Sequence, residues 1–175
     1  VGAHSDSLWG KSQLHRHPQI SRWWYVDNTT MQVGNAFGGP IYIGIEAGST
    51  LGEFDITVSN AVKAPRYIHG ETDVFQWPQQ YRHDPAPWAE IGSDQFILTV
   101  PSHEIRDLDN PQDLMDWWDE ALGMEHEIYG YTPWPRVERA VFDAQISAGW
   151  MHSGYPFMAH DLSVAGVVNV TYMSE

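Results

Sequence analysis

The chain has 175 residues, and 9 Lys and Arg against 23 Asp and Glu leave a formal charge of −14 at pH 7. That excess of carboxylates excludes a nucleic-acid partner and disfavours an anionic bilayer surface, because nothing here would replace released counterions. Apolar residues make up 42%, enough for one domain core, and aromatic residues reach 13% with 9 Trp. Trp needs burial and a partner for its N–H. Either the core is unusually aromatic, or part of the set lines a surface for something flat and weakly polar. With no cysteine, disulfides, thiolate nucleophiles and cysteine-based zinc sites are absent together, and the redox compartment stays open. The sequons Asn28-Thr29-Thr30 and Asn169-Val170-Thr171 are compatible with a secreted or cell-surface protein. No apolar run approaches the ~18 residues of a membrane span, so membrane insertion is not expected.

Residues 1–39 are rich in Gly, His, Ser and Pro and read as irregular, with an aromatic knot at Trp23-Trp24-Tyr25. Gly38-Gly39-Pro40 then precedes Ile41–Ile45, whose alternating β-branched residues predict a strand. Ala47-Gly48-Ser49 signals a turn and Phe54–Val58 a second strand, which together predict an antiparallel hairpin. Four prolines between 65 and 87 allow only short elements, such as a helical turn near Thr72–Trp77. Phe96–Val100 predicts a strand buried on both faces. Asn110-Pro111 opens the clearest helix, with Asn110 as N-cap, Pro111 at the first helical position and Asp113 at the positive end of the dipole. Leu114, Trp117, Trp118, Ala121 and Leu122 form its apolar stripe, with Asp116, Asp119 and Glu120 facing out. After a proline-bounded loop at 131–135, Ala140–Ile146 predicts a further strand, while Leu162–Val170 suits strand or helix. The pattern is α+β rather than alternating βαβ.

Nine histidines raise the question of metal. His103-Glu104 and His126-Glu127 each begin like H-E-x-x-H, but Asp107 and Gly130 stand where the second imidazole should be, so both read as surface residues. His15 and His17 converge only in a strand, and Pro18 follows; His4 and Asp6 give no stronger signal. Serine-triad chemistry has no G-x-S-x-G support, and Ser153 lacks the strand–turn–helix context. Two segments stand apart from generic scaffold. Pro85–Glu90 sets Trp88 and Glu90 in a proline-stiffened loop, and Ser147–Pro156 packs Gly, Trp150, His152 and Tyr155 into a loop after an apolar strand. The second reads as a stacking surface or as a tight turn filled by aromatics.

The blocks VGAHSDSL, GGPIYI, APWAEI, FILTVPS and above all FDAQISAGWMHSGYP resemble the enhancin-like metallopeptidase family, which includes mucin-degrading enzymes, viral enhancins and the TRP-channel-associated factors. Their order and spacing extend the resemblance over the whole chain. It implies a single, partial peptidase domain over 1–175: the N-terminal subdomain of a gluzincin, with a twisted mixed or antiparallel sheet and one long amphipathic helix. The family's zinc helix would begin near residue 175, so no zinc ligand or catalytic residue is assigned here. Zinc is expected in the complete domain, and this chain alone is expected to be inactive. Many members act on mucin-like glycoproteins, so a glycoprotein or glycan is the implied ligand and a complementary C-terminal half a further partner. Residue by residue, Trp88 and Glu90 become candidate walls of a substrate cleft, and Trp150, His152 and Tyr155 candidate substrate-side or structural residues beside the zinc helix. The rival expectations are a non-catalytic carbohydrate- or protein-binding module on the same scaffold, and a structural subunit completed by a second polypeptide.

Overall fold

The computed structural model describes residues 1–130 and 136–174; the loop at 131–135 lies outside them. The core is a mixed six-stranded sheet built from β1 (Arg66–Ile68), β2 (Trp88–Gly92), β3 (Phe96–Pro101), β4 (Glu138–Asp143), β5 (Met151–His152) and β6 (Phe157–His160), in the order β1-β2-β3-β4-β6-β5. The pairs β2/β3 and β5/β6 are antiparallel and the other three parallel. One helix, α1 (Pro111–Tyr129), crosses one face, and the short helices α2 (Val164–Val167) and α3 (Val170–Met173) pack beside it.

Alternation along each strand sorts the side chains into two sets. Ala89, Ile91, Phe96, Leu98, Val100, Ala140 and Phe142 face α1 and form the main core with its Leu114 and Met115. The opposite face carries Trp88, Glu90, Thr99, Arg139, Val141, Asp143 and Met158, and residues 1–42 run across it. β3 is buried at four of its six positions, as its apolar run demands.

The expected start of α1 forms as read. Asn110 Oδ1 accepts the Asp113 N–H at 3.4 Å, Pro111 takes the first turn, and the helix closes on left-handed Gly130 at φ 65°. Asp119, expected to face out, instead accepts the Ser93 hydroxyl at 2.5 Å, tying the helix to the β2–β3 turn. Trp118 Nε1 donates to Val167 O at 3.2 Å, and 162–170 resolves as short helical turns interrupted at Val168 and Asn169. The segment near Thr72–Trp77 makes helical i→i+4 turns from Asp73.

Three expectations are corrected. Ile41–Ile45 and Phe54–Val58 are not strands: no backbone pairing joins them to each other or to the sheet, and Ile43, Ile45, Phe54 and Val58 remain about half exposed. Alternation marks strand potential, but a strand needs a neighbour to take its N–H and C=O groups. Trp88 and Glu90 lie on β2 rather than in a loop, because Pro85 and Pro87 end just before the first residue that must donate to the ladder. Within Ser147–Pro156, Met151 and His152 form the edge strand β5.

Candidate ligand-binding face

The face opposite α1 is organised by ions that the sequence scatters widely. Glu90 Oε1 on β2 accepts Tyr42 OH at 2.5 Å, Thr99 Oγ1 at 3.1 Å and the Arg139 guanidinium of β4. Arg139 also donates to Thr99 Oγ1 at 2.9 Å and sits 4.9 Å from the Tyr42 ring centroid. Burial alone would lower the Arg139 pKa, but Glu90 and Tyr42 outweigh it and hold the guanidinium charged. Glu90 therefore serves an ion pair that pins residue 42 to the middle of the sheet. Tyr42 is pushed well above the ordinary phenol value, first by burial and then by the Glu90 charge. The folded phenol keeps its proton above pH ~10 while the unfolded one loses it, so the unfolded state binds fewer protons there and stability falls as pH rises. Urea midpoints measured across that alkaline window should decline for the native protein and less steeply for Tyr42→Phe; parallel curves would refute the assignment.

At the C-terminal end of β4, Asp143 is buried. Its Oδ2 lies 2.5 Å from His4 Nε2 and 2.6 Å from Arg16 Nε. His4 Nδ1 accepts the Asp6 N–H at 3.0 Å, which leaves the imidazole proton on Nε2, pointing at the carboxylate. Asp6 then reaches the loop after β4: its Oδ2 accepts the Ser147 N–H at 2.7 Å and lies 3.4 Å from His152 Nε2. Burial would raise the Asp6 carboxyl, but the Ser147 hydroxyl and N–H and the His152 ring outweigh it and hold it below its usual value. The first and last of the quoted blocks are thus in contact. Gly2 and Gly39 bring a second pair together: a Cβ on Gly39 would lie 2.7 Å from Gly2 Cα, and Gly2 N donates to Pro40 O at 3.0 Å.

Ser147, His152 and Asp6 are the residue types of a nucleophilic triad, but their geometry is different. Ser147 Oγ, at 3.1 Å, and Asp6 both address Nε2, while Nδ1 points at Ser153 O at 3.0 Å. A triad carboxylate must hold the ring from Nδ1, leaving Nε2 to the hydroxyl. The arrangement is a clamp on the loop.

Trp150 and His152 share this face at the β5 edge of the sheet, Trp150 54% exposed and His152 mostly covered, its side chain 26% exposed. Trp88 packs against Ala3, Val141, Ile146 and Met158, and both Trp88 and Glu90 are separated from β5 by β3, β4 and β6. Tyr155 lies off the β5–β6 loop, its OH donating to Val137 O at 3.0 Å and its ring 4.2 Å from the Arg136 guanidinium carbon. The five candidates therefore do not converge on one pocket. The grouping of His4, Asp6, Arg16 and Asp143 was missed: His4, Asp6 and Asp143 lie in the quoted blocks, whereas Arg16 lies outside them and carried no signal.

Residues 60–175 match the model of peptidase M60, enhancin and enhancin-like, and residues 1–59 match the N-terminal domain of M60-like peptidases. The chain belongs to the M60 peptidase family. It is 41% identical over 174 residues to TRPM8 channel-associated factor 2 of Bos taurus, covering 99% of this chain and 19% of that protein. The chain thus spans about a fifth of the length of the curated relatives it matches. Among solved structures it resembles a functionally unknown conserved protein from Bacillus anthracis (TM-score 0.55, 18% identity, covering 63% of this chain and 26% of that one). It also resembles the ZmpB metallopeptidase from Clostridium perfringens (TM-score 0.52, 11% identity, covering 61% and 25%).

The M60 frame gives these contacts a place. The Tyr42–Glu90–Arg139 and His4–Asp143–Arg16 groups both tie the segment matching the M60-like N-terminal domain to the sheet of the M60 match. The family uses zinc. Among the described residues, no group of three or more His, Cys, Asp or Glu could hold a metal ion, and no zinc-dependent step is assigned to them. Among the same residues no helix is long and apolar enough to cross a membrane.

Proposed function

We propose that this chain is the sheet-bearing, substrate-side part of an M60-type domain, and that the longer protein engages glycosylated, mucin-like proteins and cleaves them with zinc held elsewhere. The observation that carries this reading is the β5 edge. It ends the sheet, it derives from the GWMHSGYP block, and it carries Trp150 and His152 on the face opposite α1. An edge strand offers unpaired backbone groups to an extended segment, and an aromatic beside it offers a stacking surface for a sugar. Trp88, Glu90 and Tyr155 are second-rank candidates, since the first two already serve packing and an ion pair. The matched segments before and after residue 59 act as one unit through the ionic ties described above. Asn28 and Asn169, both exposed, support placement outside the cell or on its surface.

The test is tryptophan fluorescence of this chain titrated with a mucin-type O-glycosylated peptide and with the same peptide unglycosylated. A glycan-dependent change lost in Trp150→Ala and His152→Ala is expected. Equal behaviour of the two peptides, or no response at millimolar concentrations, refutes the glycan reading.

A second reading draws on the 41% identity to a TRPM8 channel-associated factor. On it, the same face binds a channel protein and hydrolyses nothing. Retention of TRPM8 by the longer protein, without cleavage, would favour this reading over the first.

A further inference from the structure

The turns that follow β1 and the start of α1 enclose a hollow that neither reading uses. Its volume is about 420 Å³, within the roughly 300–1,000 Å³ of small-molecule sites, and it opens to solvent. One part of its lining is apolar: Val74, Pro78 and Phe75, whose ring is 78% exposed. The rest is polar, from Gln79 on the same turns and from Asp109, Gln112 and Asp113 where α1 begins. Asn110 also lines it, but its Oδ1 is taken by the Asp113 N–H. The two sides are pinned to each other. Buried Trp77 donates from Nε1 to Leu108 O at 2.7 Å, and the Arg82 guanidinium donates to Asp109 Oδ1 at 2.6 Å. A site held in this way gives up little freedom on binding.

The charges in the hollow are already answered. Asp109 has Arg82 beside it, and Asp113 stands in the first turn of α1, where the helix dipole offsets a negative charge. A cation therefore gains little there, and the same two carboxylates repel an anion. An apolar ligand would strip water from the polar side chains and return nothing. Among the described residues, the side chains of Gln79, Gln112 and Asp113 make no hydrogen bond, so two amides and a carboxylate offer both donors and acceptors to an entering molecule. Hydroxyl groups take both roles at once, and the C–H face of a sugar ring can lie flat on a phenyl ring. We propose that this hollow binds a neutral pyranose, stacked on Phe75 and held through its hydroxyls by Gln79, Gln112 and Asp113. The turns that build it follow β1, whereas Trp150 stands at the opposite, β5 edge of the sheet, so this site and the glycan reading of that edge can fail separately.

Amide NMR spectra of the isotope-labelled chain test it, recorded while methyl galactoside, methyl glucoside or n-butylamine is added at constant ionic strength. At least one glycoside should shift amides within 74–79 and 109–113 saturably, with a dissociation constant of about 1–10 mM, the range for so small a ligand on an open site. n-Butylamine should leave those amides in place at the same concentrations. Phe75→Ala should weaken the glycoside about tenfold and Gln112→Ala about threefold. Both side chains are exposed, so thermal melts of the two variants should overlay the native curve, separating a lost site from a lost fold. Trp150→Ala should leave the shifts unchanged, which distinguishes this hollow from the β5 edge. No saturable shift with either glycoside up to about 50 mM, equal shifts with n-butylamine, unchanged affinity in Phe75→Ala, or loss of the shifts in Trp150→Ala would each overturn the proposal.

Discussion

Replacing Asp143 by alanine should cost about 3–5 kcal/mol of folding free energy, the scale for removing one partner of a buried charge pair. The side chains of His4, Arg16 and Asp143 are 0%, 9% and 6% exposed, so solvent cannot take over from the lost carboxylate. Arg16 would keep a buried charge, and His4 would keep an Nε2–H with no acceptor. Asp143→Asn is the informative partner variant. Its amide oxygen can still accept one hydrogen bond, but the charge that balances Arg16 is gone, so it should fall between native and alanine. Urea denaturation gives the free energies. Limited proteolysis shows where the damage lies: Lys11 and Arg22 should become the early cleavage points as residues 1–22 come off the sheet. If the alanine variant loses less than about 1 kcal/mol, the N-terminal segment is not held by this group, and the unit spanning residue 59 loses its main support.

How far the sequence led depends on the range of the interaction involved. The long helix was legible because its signals are local: Asn110, Pro111 and the Leu114–Leu122 stripe act within a few residues of one another. Strands β3 and β4 were legible because each is long and apolar. Strands β1, β5 and β6, of two to four residues, carry too little periodicity to register, and they exist only because the longer strands template them. The false hairpin at 41–58 is the converse case, with alternation present and no partner strand. The resemblance supplied what periodicity could not, namely that the VGAHSDSL and GWMHSGYP blocks matter. It did not say that they touch. The pairing of His4 with Asp143 spans 139 residues, and nothing local marks either residue as the other's partner. The ion pair of Glu90 was hidden for a related reason: a carboxylate on a stiff segment looks available until the arginine that neutralises it, 49 residues away, is placed beside it.

The composition left open whether nine tryptophans build a core or a surface, and one substitution made at two sites separates the roles. Trp77 is fully buried, meets Tyr67 edge-on at 5.9 Å, and donates from Nε1 to Leu108 O at 2.7 Å. It thereby locks the turns before β2 to the chain entering α1. Trp77→Ala should cost about 3–5 kcal/mol, combining lost transfer energy with a cavity that the surrounding sheet and helix cannot close. Leu108 O would retain only the Arg82 guanidinium, at 3.3 Å. In Trp150→Ala the change in stability should stay within about 0.5 kcal/mol, since the ring is half in water and stacks on a single neighbour. Ligand response should follow the opposite order, absent in Trp150→Ala and intact in whatever fraction of Trp77→Ala remains folded. Were Trp150→Ala to unfold the protein as Trp77→Ala does, the β5 edge would be scaffold, and the glycan reading would lose its anchor. A stable variant that no longer binds would show that the chain divides its tryptophans between the two tasks, with the boundary running along the sheet edge.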